Sequence, residues 1–274
     1  MSLISIPTLR QTIAMSALTC FSLAAQAHHA FLVPSSTVVS GDAPSILVDA
    51  GIATNVFEYD HMALQLDNLS ITAPDGSPLL PENITHSRFR NSFELQLKQK
   101  GSYKLDVMNQ ILLATYKDQG DAKRWRGTAS TITKEIPTTA TDLQVSERIN
   151  RVETIVTNGK PGGKSMDIAG KGLEIDFLSH PNDLVAGESA RFRVLLDGKP
   201  MPNIAIEIIP GGKRYRQDSE NQQVTTNSDG IVSIQWKNAG LYWLQVEVKD
   251  DLHATPPATS RIASYSVTLE VLPQ

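Results

Sequence analysis

The chain has one cysteine in 274 residues, Cys20. That excludes an intrachain disulfide and any structural zinc site of the cysteine-rich kind. A metal ion held by this sequence must use histidine, carboxylate, methionine or backbone groups. Long apolar runs are also missing. After residue 27 nothing approaches the ~20 consecutive apolar residues that a membrane-spanning helix needs. Basic residues form no long run and the net charge is −4, which argues against a nucleic-acid partner. Helical periodicity is nearly absent. There is no HExxH, no G-x-S-x-G and no glycine-rich phosphate loop, so the sequence points away from an enzyme.

What is present begins with a secretory signal. Arg10 supplies positive charge, an apolar stretch runs from Ile13 to Leu23, and Ala25-Gln26-Ala27 places small residues at −3 and −1 of a cut after Ala27. The expected product is a periplasmic protein whose first residue is His28, followed by His29. Cutting after Ala25 would instead put His28 third from the amine, an arrangement suited to square-planar Cu(II) or Ni(II). Leu23 at −3 disfavours that cut. Ala17-Leu18-Thr19-Cys20 is a poor lipidation signal because Leu18 and Thr19 are not the small residues expected there.

The remainder is long enough for two domains. Short alternating segments such as Ser45–Ala50, Leu69–Ala73 and Ser92–Leu97 are separated by turn signals such as Pro74-Asp75-Gly76 and Lys100-Gly101-Ser102. The pattern predicts an all-β protein of two β-sandwich domains, residues 28–170 and 171–274, the second immunoglobulin-like. Glycines between Asn158 and Gly172 mark the linker. Asp142 to Val156 fits helix and strand about equally. Asp197-Gly198 predicts a tight hairpin, and Trp236 and Trp243 read as core. The order of strands and turns from Ala186 to Val248 resembles immunoglobulin-like modules of bacterial surface and periplasmic proteins, which support or present a neighbour.

Across nearly the whole chain beyond the signal, several segments carry a further resemblance. They are His28-His29-Ala30-Phe31-Leu32-Val33-Pro34-Ser35, Asp49-Ala50-Gly51 with Phe57-Glu58-Tyr59-Asp60-His61, Ala114-Thr115-Tyr116-Lys117 with Lys123-Arg124-Trp125-Arg126-Gly127, and Gly211-Gly212-Lys213-Arg214-Tyr215-Arg216. The chain is similar to a periplasmic family catalogued as a domain of unknown function, whose members are often described as periplasmic components of cobalt or nickel uptake systems. The resemblance implies an all-β periplasmic protein connected with transition-metal uptake and partnered by a membrane uptake system. It implies no ligand set.

The residues supply one. A free α-amine and an imidazole on His28 can chelate, and imidazole suits Ni, Co, Cu and Fe. His29 adds a donor. Glu58-Tyr59-Asp60-His61-Met62 brings carboxylate, imidazole and thioether within five residues. On a strand, Glu58, Asp60 and Met62 would share one face and His61 the other; on a loop all could converge. The candidate metal ligands are therefore His28, His29, His61, Glu58 and Asp60, with His86, His180 and His253 weaker. Asp49, at the end of an apolar run, is expected to cap a turn or to orient an imidazole. Two cationic runs, Lys123–Arg126 (read as a solvated hairpin tip) and Lys213–Arg216 after two glycines, suit an anion or a partner. The second domain is expected to be a spacer or docking module. Two other readings stand beside the metal carrier: an exported scaffold or adhesion protein, and a copper oxygenase, whose members also begin with histidine. The glycan-binding aromatic face such an oxygenase needs is not visible.

Overall fold

A computed structural model of the protein describes residues 28–215 and 220–274. The signal segment, Cys20 and the expected cut after Ala27 lie outside the described residues. Eighteen strands are described. The first nine are β1 (His29–Pro34), β2 (Val38–Val39), β3 (Ser45–Ala53), β4 (Met62–Ala63), β5 (Leu69–Thr72), β6 (Glu82–His86), β7 (Asn91–Gln96), β8 (Gly101–Asp118) and β9 (Asp121–Gly127). A single helical turn, α1 (Ile132–Glu135), precedes β10 (Thr141–Asn158). Then come β11 (Leu173–Phe177), β12 (Ser189–Leu196), β13 (Lys199–Pro200), β14 (Ala205–Pro210), β15 (Gln222–Thr225), β16 (Ile231–Gln235), β17 (Gly240–Lys249) and β18 (Ser260–Val271). The all-β sandwich expectation holds. The ambiguous segment from Asp142 to Val156 is strand: burial alternates from Val145 to Ile149 and is continuous from Arg151 to Asn158, where both faces of β10 are covered.

Three sheets form. The first has the order β1-β3-β7-β6, with β4 beside β3. The second, central sheet runs β15-β14-β17-β18-β10-β8-β5, with β2 beside β10 and β9 beside β8. The third has β11-β12-β13, with β16 on β12. The central sheet joins early and late parts of the chain, because β10 and β18 are adjacent and parallel from Ser146↔Ser260 to Thr154↔Thr268.

Alternation along β10 shows how the layers stack. Val152 and Val156 point to one face and join Leu105 and Val107 of β8 with Leu32, Val48 and Phe93 of the first sheet. Ile155 points the other way and belongs with Phe192, Val194 and Trp236 of the C-terminal half. The first and third sheets thus cover opposite faces of the central one, each over a different part of it. Each fully buried large apolar side chain contributes about 1.5–3 kcal/mol, and Phe93, Phe192 and Trp236 are completely buried. Among the buried residues of the second core only Ile155 precedes Lys171, and the half-buried Met166 packs against it. The Asp-Gly hairpin is as expected: Asp197 and Gly198 have φ of 50° and 75° and connect β12 to β13.

Two polar clusters sit where the layers meet. Arg151 Nη1 lies 3.1 Å from Glu174 Oε1, and the Glu174 carboxylate also accepts the backbone N–H groups of Ala169, Gly170 and Lys171. Nearby, the buried Glu153 accepts the Tyr265 hydroxyl at 2.8 Å, and burial pushes its carboxyl up to about 7. In the second cluster the backbone N–H of Asn182 donates to His180 Nδ1 at 3.1 Å. The proton of the neutral ring is therefore on Nε2, which lies 2.9 Å from Ser102 Oγ. Burial holds the pKa of His180 below its ordinary value.

Candidate functional site

The amino-terminal edge is built by β1 and by the loop between β3 and β4. Strand β1 is fixed from below: Ala30 O accepts the Trp243 indole N–H at 2.9 Å and the Ser266 hydroxyl at 3.1 Å. Phe31 is completely buried and meets Phe57 and Tyr59 edge-on, at 5.4 and 5.6 Å between ring centroids. Gly51 makes this possible, since a Cβ there would lie 2.9 Å from the Tyr59 ring and 3.0 Å from Phe31. With Phe57 and Tyr59 turned inward, the following residues come out beside the start of β1. His61 stacks on His28, with centroids 3.7 Å apart and planes 13° from parallel.

His29 points elsewhere. Its ring meets the buried Trp243 edge-on at 4.5 Å, and its Nδ1 is buried without a hydrogen-bond partner. Burial, then the neighbouring His28 and Lys213, hold its pKa below the ordinary histidine value. The ring is therefore neutral at pH 7 and keeps a free lone pair, the form in which imidazole binds metals.

The two carboxylates turn to other partners. Asp60 Oδ1 accepts the Thr54 backbone N–H at 2.9 Å. Glu58 accepts the Asn55 amide at 3.3 Å and lies 3.3 Å from Arg214 Nε. Of the five predicted ligands the structure thus stacks His28 and His61, keeps His29 adjacent with an unpaired nitrogen, and directs Glu58 and Asp60 to the loop and its cationic neighbour. Among the described residues no three His, Cys, Asp or Glu side chains converge as a metal-holding group. The lone pairs of two parallel rings lie in their ring planes, so the stack as it stands does not converge them on one point. The donor set is nitrogen-rich, which fits a borderline ion, and it is completed only by the amine that a cut after Ala27 would free.

Asp49 neither caps a turn nor touches an imidazole. It lies within β3 opposite Ser92, with Arg90 Nη1 at 3.3 Å and Tyr59 as a second neighbour. Burial raises its carboxyl despite both partners. The other histidines are apart from this edge. His180 is in the interior cluster, His253 Nδ1 lies 2.9 Å from Asp250, and His86 is exposed on β6. Sequence reasoning missed Trp243 as the support of β1, and Lys213, which donates to Asn55 Oδ1 at 2.9 Å and lowers His29. Both are remote in sequence, and the Gly-Gly-Lys-Arg run was the only hint.

The fold and this edge together define an all-β protein with imidazole nitrogens gathered at the start of its first strand. The chain belongs to the family described as "Domain of unknown function (DUF4198)", whose match spans residues 25–250. No curated protein matches. Among solved structures it is similar to the D0-D1 domain of intimin, at 12% identity over 87% of this chain and 96% of that one, with a TM-score of 0.21. A marsupial T cell receptor is similar at 11% identity over 90% and 74%, with a TM-score of 0.23. A tetra-tandem repeat from the extending region of a large adhesion protein follows at 11% over 89% and 74%, with a TM-score of 0.22. At such scores the likeness carries no functional meaning.

Proposed function

We propose that this protein is a periplasmic transition-metal carrier that takes Ni, Co, Cu or Fe at its amino-terminal edge and serves a membrane metal-uptake system. The reading assigns it no reaction. The observation that carries it is the stack of His28 on His61, which places two imidazoles beside the position where signal removal would leave a free amine. That amine, with a pKa near 8, is partly deprotonated at neutral pH and forms a chelate with the ring of its own residue. The unpaired, neutral His29 adds a third imidazole within the same edge. Glu58 and Asp60 hold the loop that carries His61 and complete the polar surroundings. Which of the ions is the cargo follows from supply, since nitrogen donors rank them by the same general order of affinity.

The test starts with mass spectrometry of the exported chain, which should find His28 first. Ni(II) and Cu(II) are then titrated into the trimmed protein, into His28→Ala and His61→Ala, and into a chain with one glycine added before His28. One ion per trimmed chain is expected, with at least tenfold weaker binding in all three altered proteins. Absence of stoichiometric binding to the trimmed chain sinks the carrier reading and favours an exported scaffold.

A further inference from the structure

The central sheet extends well past the first sheet that covers it. Strands β8 and β10 are paired from Asn158↔Gly101 out to Thr141↔Lys117, whereas the first core uses β10 only at Val152 and Val156. At about 3.3 Å per residue, roughly 30 Å of this ribbon projects beyond the core. One face of the projection is filled. Trp125, Leu112, Ala114 and Val145 pack there with α1, and the Trp125 indole N–H donates to Glu135 at 2.7 Å. The other face continues the covered face of the sheet but has no layer over it. It holds a hollow of about 500 Å3 lined by Leu113, Thr115, Arg124, Gln144, Ser146 and Ser260.

The unpaired charges on this open face are of one sign. Trp125 is pinned inward, so the alternation of β9 sends Arg124 and Arg126 outward, opposite Thr115 and Leu113. Arg148 joins them from β10, opposite Ile111. Lys117 and Lys123 pair with Asp142 and Asp121, at 2.8 and 3.8 Å. No ion pair or hydrogen bond engages the side chains of Arg124, Arg126 or Arg148 among the described residues. The run is not the tip of a hairpin, as its sequence suggested, but a strand with the half-buried Trp125 packed on one side and arginines on the other. The tip itself is Gln119-Gly120 (φ 51° and 91°), flanked by Asp118 and Asp121.

We propose that the open face of this arm is a docking surface for an extended acidic segment of a partner protein. Arginines two apart on one strand stand about 7 Å from each other, the same interval as carboxylates at alternate positions of an extended segment. Each guanidinium can take a carboxylate by two parallel hydrogen bonds, and Leu113 with Ile111 gives apolar contact between them. The acidic tip and the net charge of −4 disfavour an anionic membrane as the occupant. Strand β1 runs in the same direction as β18, with Ala30 at Ser266 and Thr37 at Glu270, so the arm projects from the end where His28 lies. The docking surface nevertheless stands without metal at that edge.

The test uses the full trimmed chain and a 12-residue peptide alternating glutamate with threonine, at low salt, with its glutamine counterpart as control. The glutamate peptide should bind and the glutamine peptide should not, and binding should weaken as salt rises. Arg124→Gln with Arg126→Gln should weaken it at least tenfold, Arg148→Gln severalfold, and Lys123→Gln hardly at all. Thermal melts confirm that these surface variants fold. No binding of the glutamate peptide, or equal binding by the arginine variants, overturns the proposal. So does arginine-dependent sedimentation with phosphatidylglycerol–phosphatidylcholine vesicles in place of peptide binding, which would assign the face to a membrane.

Discussion

The seam between the layers and the amino-terminal edge both gather histidine with polar neighbours, yet they treat nitrogen in opposite ways. At the seam, both ring nitrogens of His180 are engaged, one accepting from Asn182 and the other meeting Ser102. At the edge, His28 and His61 meet only through their ring faces, and His29 keeps an unpaired buried nitrogen. A buried polar atom left without a partner costs about 1–3 kcal/mol. Interior histidine therefore acts as scaffold, whereas edge histidine retains binding capacity that the fold does not use. Counting histidines does not separate the two; following their hydrogen bonds does.

The largest effect should come from breaking the seam. Glu174→Ala leaves Arg151 buried without its carboxylate and is expected to cost about 3–5 kcal/mol, read by urea unfolding. Glu153 should act in the opposite direction. Its folded pKa, about 7, is above the unfolded value, so its stabilising contribution is complete below about pH 4.5 and is lost as pH rises through 7. Glu153→Gln should therefore gain roughly 2 kcal/mol over wild type at pH 8 and little at pH 4. Loss of stability at pH 8 would contradict this account of the buried carboxyl.

His180→Ala should cost about 1–2 kcal/mol for the two hydrogen bonds. The folded pKa of His180 is depressed, so its contribution is complete above about 6.5 and declines as pH falls below that value. The variant should accordingly lose less than wild type between pH 7 and 5. The smallest effect is expected at the edge. His61→Ala should change stability by no more than about 0.5 kcal/mol, and a loss as large as that of His180→Ala would erase the contrast between the regions.

Much of this was legible in the sequence. Alternation marks the strands, Asp197-Gly198 marks its hairpin, and the sequence alone pairs His28 with His61, whose rings the fold stacks. The rest depended on facts that periodicity does not contain. Alternation shows that Val152 and Ile155 face opposite ways but not which sheet covers each. The acidic residues beside His61 looked like ligands because sequence proximity hides competing partners: the Thr54 amide for Asp60, Arg214 for Glu58. Asp49 ended an apolar run on paper, yet its strand continues to Ala53. In Lys123–Arg126 the charge was plain, whereas the division into paired lysines and unpaired arginines required the register with β8 and β10.

The parallel neighbours β10 and β18 also set an order of events during synthesis. More than a hundred residues separate them, so β10 emerges long before the strand that will flank it. Until the last segment arrives, its backbone from Ser146 to Thr154 has an open side, a template for mispairing with another chain. The hazard lasts until Ser260–Val271 has been made and can pair along β10. A chain truncated before Ser260 would keep that side open permanently.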